Sequence, residues 1–304
     1  MWRDVRIPRP VAHPTRSAAT VGESTLPINH VTNRTGCLYY SCVVLAIDTG
    51  EAVARSADEP STFTTLPENE VHVWRESLSR RPIEIARLRG LLTTDERRRA
   101  DRYRFERHRS RYIVGHATLR LLLARYLDAE PDELEIGYGE FDKPYLAGGP
   151  SFNLSHSGTV VLYAVAATGD LGVDVELYDA GFAHERIAER FFSPTEVDVL
   201  RSLPADVQPW AFLTCWTRKE AFIKARGDGL NLALDSFDVT LGPEAPAALL
   251  RTSWCQKEPE QWQLEDLSDR RAGYIAAVAL RGNGWRVVER KTVDTNEGNV
   301  PGQE

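Results

Sequence analysis

The chain is poor in sulfur, with one Met and four Cys in 304 residues. Cys37, Cys42, Cys215 and Cys255 form neither a C-x-x-C pair nor the dense even spacing of a disulfide scaffold, which excludes a thiol-built zinc site and points away from redox chemistry. A reducing, cytoplasmic compartment is expected. Long apolar runs are missing too. The longest clean one, residues 42–47, is far too short to cross a bilayer, and no charged start with a long apolar core and small-residue cleavage site precedes it. No membrane span is expected. Positive charge is in deficit, with 37 Lys and Arg against 44 Asp and Glu and a net charge of −7, which argues against wholesale nucleic-acid binding. Residues 1–65 lack any sustained period and are rich in Pro, Ser, Thr and Ala, so they read as a poorly ordered extension. Pro8, Pro10 and Pro14 break the helix that an organelle transit segment needs, despite Arg3, Arg6, Arg9 and Arg16.

One stretch reverses the deficit. Between Thr93 and Arg125 ten arginines (97, 98, 99, 102, 104, 107, 109, 111, 120, 125) stand against four acids (95, 96, 101, 106), a local balance of +6. Such a run is either a solvated helix face laced with ion pairs or a dock for a polyanion. The patterning around it is globular. Residues 71–74 alternate as a strand, and Thr93-Thr94-Asp95-Glu96 is a capping box opening a helix over 96–107, with a second helix over 112–127. Residues 160–167 form a β run that Thr168-Gly169-Asp170 turns into a second strand, 171–177, giving an expected hairpin. Ser193-Pro194-Thr195-Glu196 is another capping box, followed by a Trp-rich helix over 210–226. Weaker β signals at 237–241 and 274–280 are expected to close a second sheet.

Strand, capped helix and long helix thus occur twice. This predicts an α+β fold in which two similar α+β subdomains, 66–167 and 168–288, form a pseudo-dimer with the active site in the cleft between them. A polar tail, 289–304, follows. Since the repeat already buries the interface that oligomers make between copies, a monomer is expected.

Gly172-Val173-Asp174-Val175-Glu176 places two carboxylates on one face of a strand, with the valines on the other. Alternating acids on a strand are commonly just its wet face. Trp216-Thr217-Arg218-Lys219-Glu220-Ala221-Phe222-Ile223-Lys224 sets Glu220 and Lys224 one helical turn apart. An ordinary pair of this kind contributes only about 0.2–0.5 kcal/mol, but large aromatics make this a packed helix. Asp174, Glu176 and Glu220, three oxygen ligands, suit a hard cation such as Mg²⁺ that keeps waters and binds a substrate phosphate. Phe152-Asn153-Leu154-Ser155-His156-Ser157-Gly158 reads as a loop dense in hydrogen-bonding groups, with His156 able to donate to an anion. Lys143-Pro144 adds a cation before a stiff turn.

These residues, in this order, resemble the Sfp-type 4′-phosphopantetheinyl transferases over residues 71–280. The resemblance implies transfer of phosphopantetheine from coenzyme A, the substrate, to a serine of an apo acyl or peptidyl carrier protein, with Mg²⁺ as cofactor and adenosine 3′,5′-bisphosphate released. It implies that Asp174, Glu176 and Glu220 hold the metal, that Glu220 activates the serine, and that Lys224 sits against the phosphate. Ser155 and His156 look like the pair contacting nucleotide phosphates, Lys143 and Pro144 like the turn beside the adenine, and Arg99 and Arg111 like cations for the 3′-phosphate. One departure is visible: the family usually has Gly before the Lys-Pro pair, and here Asp142 stands there. Two other readings remain. A degenerate relative could bind without turnover, against which the complete acid triad speaks. Nucleic-acid binding through the arginines is opposed by overall acidity and by few interleaved aromatics beyond Tyr103, Phe105 and Tyr112.

Overall fold

A computed structural model of the chain describes residues 66–139, 141–179, 184–242 and 245–291. The extension expected over 1–65 and the tail beyond 291 lie outside the described residues. The described chain runs β1 (Glu70–Ser77), α1 (Pro82–Gly90), α2 (Thr94–Asp101), α3 (Glu106–Leu127), β2 (Ile136–Tyr138), β3 (Pro144–Leu146), β4 (Ser151–Ser157), β5 (Val160–Ala166), β6 (Leu171–Leu177), α4 (His184–Phe191), α5 (Pro194–Ser202), α6 (Gln208–Arg226), β7 (Phe237–Val239), β8 (Leu249–Thr252), β9 (Trp262–Asp266), β10 (Tyr274–Arg281) and β11 (Arg286–Lys291). It is an α+β fold.

Two sheets carry the architecture, one in the order β11-β1-β5-β4 and one in the order β6-β10-β9. Strand alternation decides how they meet. Val71 and Val73 of β1 and Leu162, Ala164 and Ala166 of β5 share one buried cluster with Val173 and Val175 of β6 and Ala276 and Val278 of β10. The sheets therefore pack face to face. The intervening β5 residues, Val161, Tyr163 and Val165, belong instead to a second core with Ile113, Leu119, Leu122 and Leu123 of α3. On the far side of the second sheet, α6 lies against β6 and β10. A Cβ on Gly172 would fall 2.2 Å from the Ala221 carbonyl oxygen and 2.3 Å from the Ala225 nitrogen, so only glycine lets that helix approach so closely.

Each half pins its long helix with the same device. Thr93 and Glu96 cap α2 reciprocally, at 2.8 Å and 3.3 Å. Arg120 of α3 then donates to Glu96 at 2.8 Å and to the carbonyls of Pro131 and Leu134 at 2.8 Å and 2.9 Å. In the second half Ser193 and Glu196 cap α5 at 3.0 Å and 3.2 Å. Lys219 of α6 sits 2.8 Å from Glu196 and donates to the carbonyls of Leu234 and Phe237 at 2.7 Å and 2.5 Å. A buried capping carboxylate is thus neutralised by a cation from the long helix, and the cation's remaining hydrogens tie down the segment that follows it.

Five features differ from the sequence expectations. Residues 160–166 and 171–177 are not a hairpin: β5 pairs with β1 and β4, β6 pairs with β10, and 168–170 carry the chain from one sheet to the other. Both strands are apolar on the faces they turn toward each other, so they stack rather than share an edge. The segment 152–158 is strand β4, joined to β5 through Gly158 (φ 58°), not a loop. Its alternation of Phe152 and Leu154 with Asn153, Ser155 and Ser157 is masked by small polar residues. Strand β7 pairs with β8 in a separate ribbon, and β9 completes the second sheet. Finally, β11 crosses the boundary expected at 288 and runs parallel to β1, from Glu70 opposite Arg286 to Arg75 opposite Lys291. Helix α3 also starts at 106 rather than 112. The break before it follows no helix-breaking residue; Tyr103 and Tyr112 pack across it with ring centroids 5.5 Å apart.

Burial alone would raise the Glu96 carboxyl, but the nearby His116 ring, the Arg120 hydrogen bond and the Arg120 charge outweigh it and bring it from 4.5 down to about 2. The stabilisation is therefore present above the unfolded value and lost as pH falls from about 4.5 toward 2, by about 3 kcal/mol. Urea unfolding across that window is expected to show this loss, and Glu96→Gln to remove this contribution to the slope.

Candidate active site

The site lies where β4 of one sheet meets β6 of the other. Three polar side chains of β4, two residues apart and on one face, join the two strands. Asn153 Oδ1 accepts from the Val173 backbone N–H at 2.9 Å, Ser155 Oγ donates to Asp174 Oδ1 at 2.7 Å, and Ser157 Oγ donates to Glu176 Oε2 at 2.6 Å. Asp174 and Glu176 share the face of β6 that α6 covers, while Val173 and Val175 are fully buried between the sheets. From α6, Lys224 Nζ reaches Asp174 Oδ1 at 2.6 Å, Ser155 Oγ at 2.8 Å and the Val173 carbonyl at 3.3 Å.

Asp174, Glu176 and Glu220 are each less than a tenth exposed. Burial and then the Asp174 charge push Glu220 up to about 7, against the opposing Lys224. The same two causes push Glu176 up to about 8, against the Ser157 hydrogen bond and Lys224. Glu176 and Glu220 therefore both feel the Asp174 charge. Asp174 Oδ2 and Glu220 Oε1 are buried without a hydrogen-bond partner, a condition that costs about 1–3 kcal/mol per group. Oxygen-only donors with two unsatisfied carboxylate oxygens fit a hard cation. Among the described residues, however, no group of three His, Cys, Asp or Glu is close enough to hold a metal together. Asp174 is engaged by Lys224, and Glu176 by Ser157.

His156 and Ser155 are adjacent on a strand and so face opposite ways. Ser155 serves the acids, whereas His156 sits on the side of Phe152 and Leu154, which pack with α3. Burial, then Lys224 and Arg111, depress His156 well below its ordinary value, leaving a neutral imidazole flanked by two cations. Arg111 itself is lowered by burial and by Arg107. Arg99 lies elsewhere, its guanidinium 5.8 Å from the Tyr138 ring on β2.

The Lys143-Pro144 turn is next to that tyrosine, whose hydroxyl is pushed up to about 12 by burial first, with Glu96 and Asp142 adding to it. Lys143 Nζ is turned away into the Ala225 and Leu171 carbonyls, at 2.7 Å and 3.2 Å, and burial lowers it to about 8 against Asp170. Its amine thus ties the turn to the end of α6 and the start of β6. Asp142, before it, has φ 59°, the left-handed region that favours glycine. Sequence reasoning missed Asn153 and Ser157. Their signal was the two-residue spacing that they share with Ser155.

The chain matches the model of the 4′-phosphopantetheinyl transferase superfamily over residues 170–279, and that of the 4′-phosphopantetheinyl transferase N-terminal region over residues 74–168. It is 38% identical over 227 residues to the 4′-phosphopantetheinyl transferase HetI of Nostoc sp., covering 73% of this chain and 92% of that protein. The chain belongs to the 4′-phosphopantetheinyl transferase superfamily. It is also similar to the 4′-phosphopantetheinyl transferase Sfp of Bacillus subtilis, 30% identical over 168 residues that cover 55% of this chain and 74% of that one. The two matched regions of this transferase divide between 168 and 170, in the turn between β5 and β6, so the seam that holds the acids joins one region to the other.

In this transferase the left-handed backbone at Asp142 makes the position sensitive to side-chain shape. Asp142→Val is expected to cost about 1–2 kcal/mol, and Asp142→Gly to cost nothing, in equilibrium urea unfolding.

Proposed function

We propose that the chain transfers the 4′-phosphopantetheine of coenzyme A to a serine of an acyl or peptidyl carrier protein, releasing adenosine 3′,5′-bisphosphate. The observation that carries this reading is the junction of three buried carboxyls, two with unpartnered oxygens, with Lys224 and, beside it, His156 and Arg111. Acids for a hard cation and cations for phosphate stand side by side, which is what phosphoryl transfer to a neutral nucleophile needs.

Asp174, Glu176 and Glu220 would hold Mg²⁺, which when bound supplies positive charge against the coenzyme A pyrophosphate. Lys224 sits against the same phosphates and neutralises charge on the non-bridging oxygens. Glu220, whose Oε1 has no other partner, takes the proton of the carrier serine as its oxygen attacks the β-phosphorus, and the bond to the departing bisphosphate breaks. Arg111 and His156 meet the nucleotide phosphates from the α3 side, with Arg99 on the 3′-phosphate. Ser155 orients Asp174 and Lys224. The Lys143-Pro144 turn shapes the adenine side, Lys143 fixing the loop through the carbonyls it holds rather than offering its charge. Rigid strands and a helix held by Gly172 keep these groups in place, so positioning and electrostatics carry the rate. No helix among the described residues is long and apolar enough to cross a membrane. A monomeric cytoplasmic enzyme without nucleic-acid partners completes the reading.

Intact-mass spectrometry of apo carrier proteins incubated with coenzyme A tests it. The enzyme is expected to add one phosphopantetheine in the presence of Mg²⁺ and none without it. Asp174→Ala should lower the rate by about 10²–10³-fold or more with unchanged far-UV circular dichroism. An Asp174→Ala protein of undiminished activity contradicts the assignment.

A further inference from the structure

We infer that Lys224 is a built-in counter-ion: in the free protein its ammonium occupies the place of the divalent cation at Asp174, and it yields that place when coenzyme A brings phosphates to receive it. The inference rests on the reading of Asp174, Glu176 and Glu220 as metal ligands.

The geometry at Lys224 is that of a cation in an oxygen cage. All three ammonium hydrogens are used, on a carboxylate at 2.6 Å, a hydroxyl at 2.8 Å and a backbone carbonyl at 3.3 Å. These are hard-oxygen donors of the kind a divalent cation takes. A single positive charge nevertheless serves three buried carboxyls, and Asp174 Oδ2 and Glu220 Oε1 are left without partners. An ammonium on Asp174 Oδ1 repels a divalent cation that approaches the same carboxylate and so competes with it for that charge.

Lys224 is also built to leave. Its side chain is 17% exposed, on a flexible four-carbon stem, in the last turn of α6 before the left-handed cap at Gly227 (φ 79°). Lys224 and Arg111 both act on His156 through their charge, so two positive charges share a neighbourhood that favours an anion. A phosphate entering there gathers Lys224, Arg111 and His156 onto itself and frees Asp174. Coenzyme A and the metal are then coupled through one side chain, each raising the affinity for the other.

Binding of Mn²⁺, followed by electron paramagnetic resonance and by calorimetry on the full chain, tests this without recourse to turnover. Lys224→Met keeps the length of the stem and removes the charge. It is expected to bind Mn²⁺ about ten-fold more tightly than the wild type when coenzyme A is absent, a factor of the order that a charged hydrogen bond contributes. Lys224→Arg, which keeps the charge, is expected to bind as weakly as the wild type. Coenzyme A should enhance Mn²⁺ binding strongly in the wild type and much less in Lys224→Met. Lys224→Gln gives the same comparison should the methionine variant not fold. If neither uncharged variant binds Mn²⁺ more tightly than the wild type, the counter-ion role is overturned while the metal reading stands. If no protein binds Mn²⁺ with or without coenzyme A, the metal reading fails and this inference with it.

Discussion

The seam between β4 and β6 is the constraint on which the rest depends. Asn153, Ser155 and Ser157 reach across it to the Val173 backbone and to the Asp174 and Glu176 carboxylates, so a shift of either strand by one residue would turn these side chains to the wrong face. The valines between the acids are buried against the other sheet, and Gly172 admits α6 onto the opposite side. The acids are therefore pressed between a sheet seam and a helix. The raised carboxyls of Glu176 and Glu220 and the unpartnered oxygens of Asp174 and Glu220 are consequences of that packing rather than separate features.

The same economy holds at larger scale. Two long helices, each tied through a buried cation to the capping glutamate of the helix before it, stand on two sheets that share one apolar interface. Arg120 and Lys219 do the same job with different chemistry. The guanidinium reaches Glu96 and two carbonyls in a plane, while the ammonium reaches Glu196 and two carbonyls as a point charge. Strand β11 returns from the second half to the edge of the first sheet, so the first half is not assembled from its own residues alone.

Much of this was legible in the residues, and what was not has physical reasons. Capping boxes at Thr93 and Ser193, the α6 helix and the face shared by Asp174 and Glu176 follow from local chemistry and period, which a sequence displays directly. Pairing partners do not. Strands 160–166 and 171–177 look like a hairpin because a Gly-Asp turn joins them, yet their buried faces are better satisfied against each other. The β4 segment hides its strand character because serine and asparagine, chosen for the seam, lower its apparent β-propensity. That Lys143 would spend its amine on two carbonyls depends on neighbours more than 20 residues distant, and that Ser155 and His156 face apart follows from the strand character that the segment hides. Asp142 is the converse case: the left-handed turn explains why glycine suits that position, and aspartate is among the few side chains that tolerate it.

The central claim is that one seam gathers the carboxyls that hold a divalent cation against the coenzyme A phosphates. Anomalous diffraction from crystals grown with Mn²⁺ and coenzyme A tests it most directly. The account predicts a manganese peak bonded to carboxylate oxygens of Asp174 and Glu220 and to phosphate oxygens of the ligand, with Lys224 moved from Asp174 to a phosphate. A peak bonded to none of Asp174, Glu176 and Glu220 would contradict it.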